Sequence, residues 1–457
     1  MKQSGDGPEV WVDREHRKGR RASKGGTMGI KRALPAVAAL ITVLGTMLVT
    51  SSAPAGAAGS PADQGVTATT IQGGNPYVNF PALRSLGVTI NEGSFPDAYN
   101  AIAAYMNAHG GFDGRKLVMN YVEMNPSVAS DETSSCSTLT EDDHVFVAFA
   151  PVFPACYQTT HDTIVEGGSL PGTVTASSAP DFSLTPPDAA FDGPMLANFQ
   201  KRGVFKGKKV AIFYGADSDK PEVTAVQADL KKLHIPLTLT AEDSAVATDT
   251  VASDQETATI AERFKDSGVN VVIGVGGSGS TTWPRAQLDN QSTYKPLYIP
   301  TSESSLLSYV ESAKGGNPYL DNVLTAQPTP FAYQQWKDPG IQKCVAIVKK
   351  AYPSDAINAP LNPTNPAATS VPATNVSVVQ ACQYLTLFQK IADAAGKKLT
   401  VASFTKAGYA LKNVSIPGTG GGLISFGKNQ PYAIGPINVV TYSPTSKTLV
   451  PASATAK

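Results

Sequence analysis

The segment Gly274-Val-Gly-Gly-Ser-Gly279 has the spacing G-x-G-x-x-G. That spacing lets backbone amides approach a pyrophosphate when it follows the first strand of a βαβ unit and opens a helix. Here the first glycine falls inside an apolar strand, Val269 to Val275, and the helix is expected only near Trp283. No matching βαβ unit starts a domain there. The segment therefore reads as a loop lining a cleft rather than as a dinucleotide site. Gly418-Thr-Gly-Gly-Gly422 lacks the Lys and Ser/Thr of a phosphate-binding loop and reads as a turn or crossing. Hydrolytic chemistry has no better footing. There is no G-x-S-x-G and no H-E-x-x-H, and the five histidines (His16, His109, His144, His161, His234) are scattered. His109 stands at a helix C-terminus, where the dipole favours a cation. Glu141-Asp142-Asp143 reads as a solvated face. The four cysteines lack the paired spacing of a zinc site. No catalytic residue, cofactor or metal is expected.

The cysteines report the compartment instead. Lys31 and Arg32 precede an apolar run from Ala33 to Val49, and Ala55-Gly56-Ala57 fits an A-x-A cleavage site. The run is near the lower limit for a spanning helix, and Pro35 and Gly45 interrupt it, so it reads as a signal peptide cleaved after Ala57. Residues 1–27 are polar, and Met28 would be a conventional start. No comparable apolar run follows, so the exported chain is expected to be soluble. No cysteine follows the small-residue stretch, so no lipid attachment is expected. Cys136, Cys156, Cys344 and Cys382 all lie in the exported part, where disulfides form. Three pairings are possible. Proximity favours Cys136–Cys156 and Cys344–Cys382, whose loops close at small entropic cost.

Length bounds the architecture and charge bounds the partners. At 457 residues two or three domains are expected. Lys and Arg total 37, as do Asp and Glu, which gives no global electrostatic case for nucleic acid. Along the chain, short apolar strands alternate with amphipathic helices. Gly65–Gly74 reads as the first strand. Pro96 opens a helix with Ala98, Ile102, Tyr105 and Met106 on one face. Gly110-Gly111 ends it, Phe112-Asp113-Gly114 turns, and Leu117–Glu123 is the next strand. A helix around Cys136, a strand at Val145–Phe149, a helix over Tyr157–Val165 and a strand at Thr173–Thr175 follow. After a Pro-rich connection near Thr185 a second series begins: strands at Lys209–Tyr214, Leu237–Ala241, Val269–Val275 and Leu297–Pro300, with helices at Glu222–Leu233 and Thr257–Asp266. Residues 353–375 read as a surface excursion, Val378–Ala395 and Val401–Leu411 as helices, and Leu423–Phe426 and Ile437–Tyr442 as strands. Alternation of this kind predicts two α/β lobes with parallel sheets, and the late helices imply that the chain returns to the first.

Several elements in this order look familiar: GVTATTIQGG, then YMNAHGGFDGRKL, then SSCSTLTEDDHVFVAFAPV, then GKKVAIFYGADSD, then FKDSGVNVVIGVGGSGSTTWPRAQLDN with YKPLYIPTSES. Together they resemble the type I periplasmic binding proteins, nearest the branched-chain amino-acid-binding (Leu/Ile/Val-binding-like) branch of ABC-transporter substrate-binding proteins. The resemblance covers nearly all of residues 65–450, and its most specific part is N-A-x-G-G-x-x-G-R-K. It implies two Rossmann-like lobes with parallel-sheet cores joined by a three-crossing hinge. It implies a small-molecule ligand in the cleft, an ABC permease as partner and a monomer. The alternatives are an extracytoplasmic sensor and, less favoured, a secreted enzyme on the same fold.

On that basis the expected boundaries are 1–57 for the extension and signal, 58–186 and 328–418 for the first lobe, and 187–327 and 419–457 for the second. Ligands of open α/β sheets sit beyond the carboxyl ends of the strands. The expected ligand-binding residues are therefore Tyr77, Phe153, Tyr157, Ser177, Ser178, Tyr214, Gly277, Ser278 and Glu303. By the resemblance, Ser177 and Ser178 hold an acceptor group and Glu303 takes a donor. Where amino-acid-binding members carry hydroxyls, Ala150–Tyr157 is apolar, which suits a less polar ligand.

Overall fold

The computed structural model describes residues 64–80, 91–125, 128–151, 156–157, 162–167, 181–215, 219–245, 249–312, 316–362, 374–428, 430, 432–433 and 435–452. The segment expected as a signal peptide and the strand expected at Thr173–Thr175 lie outside them.

The first sheet is built from β1 (Thr70–Val78), β2 (Lys116–Met124), β3 (Val147–Phe149), β4 (Ile164–Glu166) and β5 (Asp181–Phe182), in the order β2-β1-β3-β4-β5 and parallel throughout. Helix α1 (Phe95–Ala108) connects β1 to β2, and α2 (Ala129–Ser137) precedes β3. Ser94 caps α1 by accepting from the Asp97 amide, and Phe95, Ala98, Tyr99 and Ile102 form its buried face. Of Tyr157–Val165, expected as a helix, Tyr157 is helical, but Ile164 and Val165 belong to β4. Two apolar residues and a glutamate carry no period, and only their place beside β3 makes them a strand.

In the second sheet, β6 (Val210–Tyr214) and β8 (Val271–Gly274) are flanked by β7 (Leu237–Glu242) and β9 (Leu297–Pro300) in the parallel order β7-β6-β8-β9. Its helices are α3 (Asp188–Lys201), α4 (Lys220–Lys232), α5 (Thr250–Asp266), α6 (Gly276–Asp289) and α7 (Glu303–Ser312). Val210 and Ile212 face one apolar core while Ala211 and Phe213 face another. Burial on both faces makes this strand continuously apolar. An antiparallel trio extends this lobe: β10 (Thr325–Gln327) pairs with β13 (Asn438–Ser443), which pairs with β14 (Thr448–Pro451).

Between β10 and β13 the chain returns to the first lobe as α8 (Ala332–Gln335), α9 (Pro339–Ala351), α10 (Val376–Ala395), α11 (Val401–Ala410) and the hairpin of β11 (Val414–Ser415) and β12 (Leu423–Ile424). Ile424, Phe426 and Ala433 belong to the first lobe's core. Residues 419–433, expected in the second lobe, therefore pack with the first, and the last crossing comes some fifteen residues later than the expected boundary. Gly418–Gly422, read as a turn or a crossing, turns the hairpin. The crossings run side by side. The Ala433 amide donates to the Ser183 carbonyl at 2.9 Å, and Asn438 Nδ2 donates to the Gln327 carbonyl at 3.3 Å.

Both expected disulfides form: Cys136–Cys156, and Cys344–Cys382, which ties α9 to α10. The Gly-Gly-Phe-Asp-Gly-Arg segment is a second tie. Phe112 and Arg115 exchange backbone hydrogen bonds around Asp113 (φ 49°) and Gly114 (φ 78°), a two-residue turn of the I′ kind. A Cβ on Gly111 would stand 2.1 Å from the Arg115 carbonyl oxygen, so only glycine fits. The Arg115 side chain, 6 % exposed, donates to the carbonyls of Thr67 and Lys397 and to Asp113. Asp113 in turn accepts from Lys397 and offers its amide to Asp393. One turn thus joins the approach to β1, the α1–β2 connection and the end of the returning α10.

Replacing Arg115 by Met keeps the stem but strands two carbonyls and one carboxylate, and should cost about 3 kcal/mol. Urea unfolding of both proteins measures it as a shift in midpoint at constant slope. A cost below about 1 kcal/mol, the scale of an ordinary surface change, would remove Arg115 as the tie.

Candidate ligand-binding cleft

In the first lobe, two neighbouring cavities open where β1 ends. One of about 220 Å3 is lined by Asn75, Tyr77, Phe80, Glu92, Phe95 and Gln380 among others. The second, about 370 Å3, shares Tyr77 and Phe95 and adds Asn91, Ser94, Asp355 and Ser377. In the second lobe a groove of about 570 Å3 runs between α6 and α7, lined by Gly277, Ser278, Thr281, Arg285, Ser305 and Tyr309. Among the described residues, none of these three spaces is lined from both lobes.

Tyr77 is where the sequence placed it. It lines both first-lobe cavities, and burial, then Glu123 across the β1–β2 register, raises its phenol above the ordinary range. Gly277 and Ser278 also line a cavity, but not as a loop, because the glycine-rich segment is the first turn of α6. Glycine is needed at 276 for two reasons. Its φ is +72°, and a Cβ would stand 2.4 Å from the Asp219 carboxyl carbon. The Gly276 amide donates to Thr301 Oγ1 (2.9 Å) and Glu222 Oε1 (3.1 Å), Thr301 Oγ1 donates to the same Glu222 oxygen, and Ser278 Oγ donates to Asp219 Oδ2. Glu303 begins α7, directly after the buried Ser302.

Other expected contacts are placed differently. Tyr157 is 2 % exposed in a small core with Cys136, Leu139 and Val145, on the side of the first sheet that the Cys136–Cys156 bridge covers. It does not reach the cavities, because the disulfide holds the start of its segment against α2. Tyr214 donates its hydroxyl to Glu242 Oε2 at 2.9 Å, and Lys220 bridges the same carboxylate, so its polar end is engaged within its own lobe. Phe153, Ser177 and Ser178 lie outside the described residues. The sequence reading did not single out Asn75, Glu92 and Gln380. Asn75 left a signal, as an amide at the end of an apolar strand. Glu92 and Gln380 left none, because they meet Asn75 only through tertiary packing.

Among the described residues, Glu166 and Asp192 are buried carboxyls with no hydrogen-bond partner at either oxygen. Glu166, at the end of β4, is fully buried, and neither carboxyl oxygen has a hydrogen-bond partner. Burial first, and the nearby Asp181 second, push it well above the carboxylate range. Asp192 on α3 is shifted the same way by burial and then by Glu222 and Asp188. Among the described residues no cluster of His, Cys, Asp and Glu could hold a metal ion, and no helix is long and apolar enough to cross a membrane.

No protein-family model matches the chain, and no curated protein matches its sequence. Solved structures do match in shape. An ABC transporter substrate-binding protein from Desulfitobacterium hafniense in complex with Leu has 12 % identity and a TM-score of 0.54, over 84 % of this chain and 99 % of that one. A possible leucine/isoleucine/valine-binding protein from Rhodopirellula baltica has 13 % identity and a TM-score of 0.52, over 86 % and 98 %. A solute-binding protein from R. palustris in complex with 4-hydroxybenzoate has 13 % identity and a TM-score of 0.51, over 84 % and 96 %. The fold is that of the type I periplasmic binding proteins. The expected two lobes, parallel cores and three crossings are thus observed.

The pH behaviour of Glu166 has a definite sign. Its native pKa is raised, so the folded state holds a proton that the unfolded state releases above about pH 4.3. Its contribution is fully present below that pH and is lost as pH rises through the native pKa. Glu166→Gln should therefore gain stability relative to the parent between pH 5 and pH 8, read from urea midpoints at each pH. A difference that does not vary with pH would show that Glu166 is ionised in the native state.

Proposed function

We propose that the chain is an exported solute-binding protein that captures a small molecule between its lobes and hands it to an ABC-transporter permease. The observation that carries this reading is the fold itself. Two parallel α/β lobes are joined by three adjacent crossings, with cavities at the carboxyl ends of strands in each. Such strand ends are where open α/β sheets bind ligands, and side-by-side strands make a hinge that can close. The similar structures bind leucine in one case and 4-hydroxybenzoate in another, which supports a small organic solute. Among the described residues that line the three cavities there is no histidine or cysteine, so those residues give an enzymatic reading no support. The reading assigns Tyr77, Gly277, Ser278 and Glu303 to the cleft faces, together with Ser177, Ser178 and Phe153. Binding closes the lobes by favouring the closed population, and the chain works as a monomer.

Residues 58–457, with their disulfides intact, should be screened by thermal shift against amino acids, amines, amides, short-chain acids, sugars and aromatic acids. A true ligand at a hundredfold excess over its dissociation constant adds about 2.7 kcal/mol. The same ligand should reduce the radius of gyration in solution scattering and be recovered unchanged. Conversion of the ligand would indicate an enzyme instead. A panel in which no compound either stabilises or compacts the protein would overturn the reading.

A further inference from the structure

We propose that the first-lobe cavity selects a protonated primary or secondary amine, held by Glu92 and Asn75 against an aromatic wall. The proposal rests on the solute-binding reading and specifies the chemistry of its ligand.

Asn75 is 1 % exposed. Its Nδ2 donates to the Phe149 carbonyl at 2.9 Å. The reverse orientation would set two oxygens against each other, so this bond fixes the orientation of the amide and leaves Oδ1 as its open acceptor. The remaining atom, Oδ1, is buried and has no partner. A buried acceptor left unsatisfied costs about 1–3 kcal/mol, which a ligand N–H or O–H would recover.

Glu92 lines the same cavity. It is half-buried, and among the described residues its carboxylate has neither an ion pair nor a hydrogen bond. Burial raises its pKa, the shift expected of a carboxylate that has lost water without gaining a cation. Among the described residues that line the cavity there is no Lys, Arg or His. An anionic ligand would be repelled there, and a neutral one would leave the carboxylate uncompensated.

The walls complete the chemistry. Tyr77, Phe80 and Phe95 surround these acceptors. Aromatic faces attract cations, and the attraction grows when water is excluded. A carboxylate, a neutral acceptor and three aromatic rings in about 220 Å3 therefore suit a small organic ammonium. The Asn75 oxygen adds a finer requirement. The cation must carry an N–H, so a quaternary ammonium of the same body should bind less well.

Calorimetry on residues 58–457 tests this with three probes: n-butylamine, butyltrimethylammonium and n-butyric acid. The amine should bind, the quaternary ion at least several-fold more weakly, and the acid not measurably. Glu92→Gln should weaken amine binding tenfold or more without lowering the melting temperature. Phe80→Leu is the second variant and should weaken the amine and the quaternary ion alike. The inference is overturned if the amine gives no heat while another solute class stabilises and compacts the protein. It is equally overturned if Glu92→Gln leaves amine affinity unchanged. In both cases the solute-binding reading survives, whereas failure of every solute to stabilise or compact the chain would remove both.

Discussion

The first lobe depends on burying Phe388. This ring, on the returning α10, sits 5.4 Å from Phe112, 5.6 Å from Phe149, 6.4 Å from Phe146 and 5.2 Å from Phe404 between centroids. Its partners come from the α1–β2 turn, from the approach to β3 and β3 itself, and from α11. Without α10 the α1-side face of the first sheet would present these aromatics to water. A buried phenylalanine is worth roughly 3–5 kcal/mol on removal, so the cluster forms a large share of a domain's net stability. The chain must therefore complete its second lobe and come back before the first can close its core. That topological demand, rather than local propensity, explains the three crossings. Two further contacts serve the same joint: the Cys344–Cys382 bridge and the Arg115 tie both fasten the returning helices to what they cover.

How much of this was legible follows from the range of each signal. Strand and helix alternation is local, so the two lobes, the strand Leu297–Pro300 and the long α10 could be read directly. Both disulfide pairings followed from sequence distance. The strand β4 was missed because two apolar residues before a glutamate have no period of their own. The last crossing failed because β12 and β13 look alike in sequence, and only packing assigns the first to one lobe and the second to the other. Tyr157 looked like a cleft aromatic because it follows a strand end. The disulfide beside it decides otherwise. Gly274–Gly279 looked like a loop because glycine is a poor helix former. The α6 start holds because Glu222 and Thr301 satisfy its first amide.

The two lobes differ at their strand ends in a way that composition conceals. In the second lobe the polar groups are already paired: Ser278 with Asp219, Thr301 and Gly276 with Glu222, Tyr214 and Lys220 with Glu242. In the first lobe Asn75 Oδ1 and the Glu92 carboxylate are not. A preorganised polar surface offers a ligand contacts of fixed geometry but little new energy, since its internal bonds must be shared or broken. An unsatisfied one gains the whole of each bond it forms. On the proposed reading, discrimination between solutes therefore lies in the first lobe, and the second lobe acts chiefly as a rigid cover. The division of labour also fits the hinge. A cover whose hydrogen bonds are closed upon themselves loses nothing by standing open, so the open state needs no compensating contacts. The ligand, bound first where acceptors wait, then supplies the differential energy that favours closure.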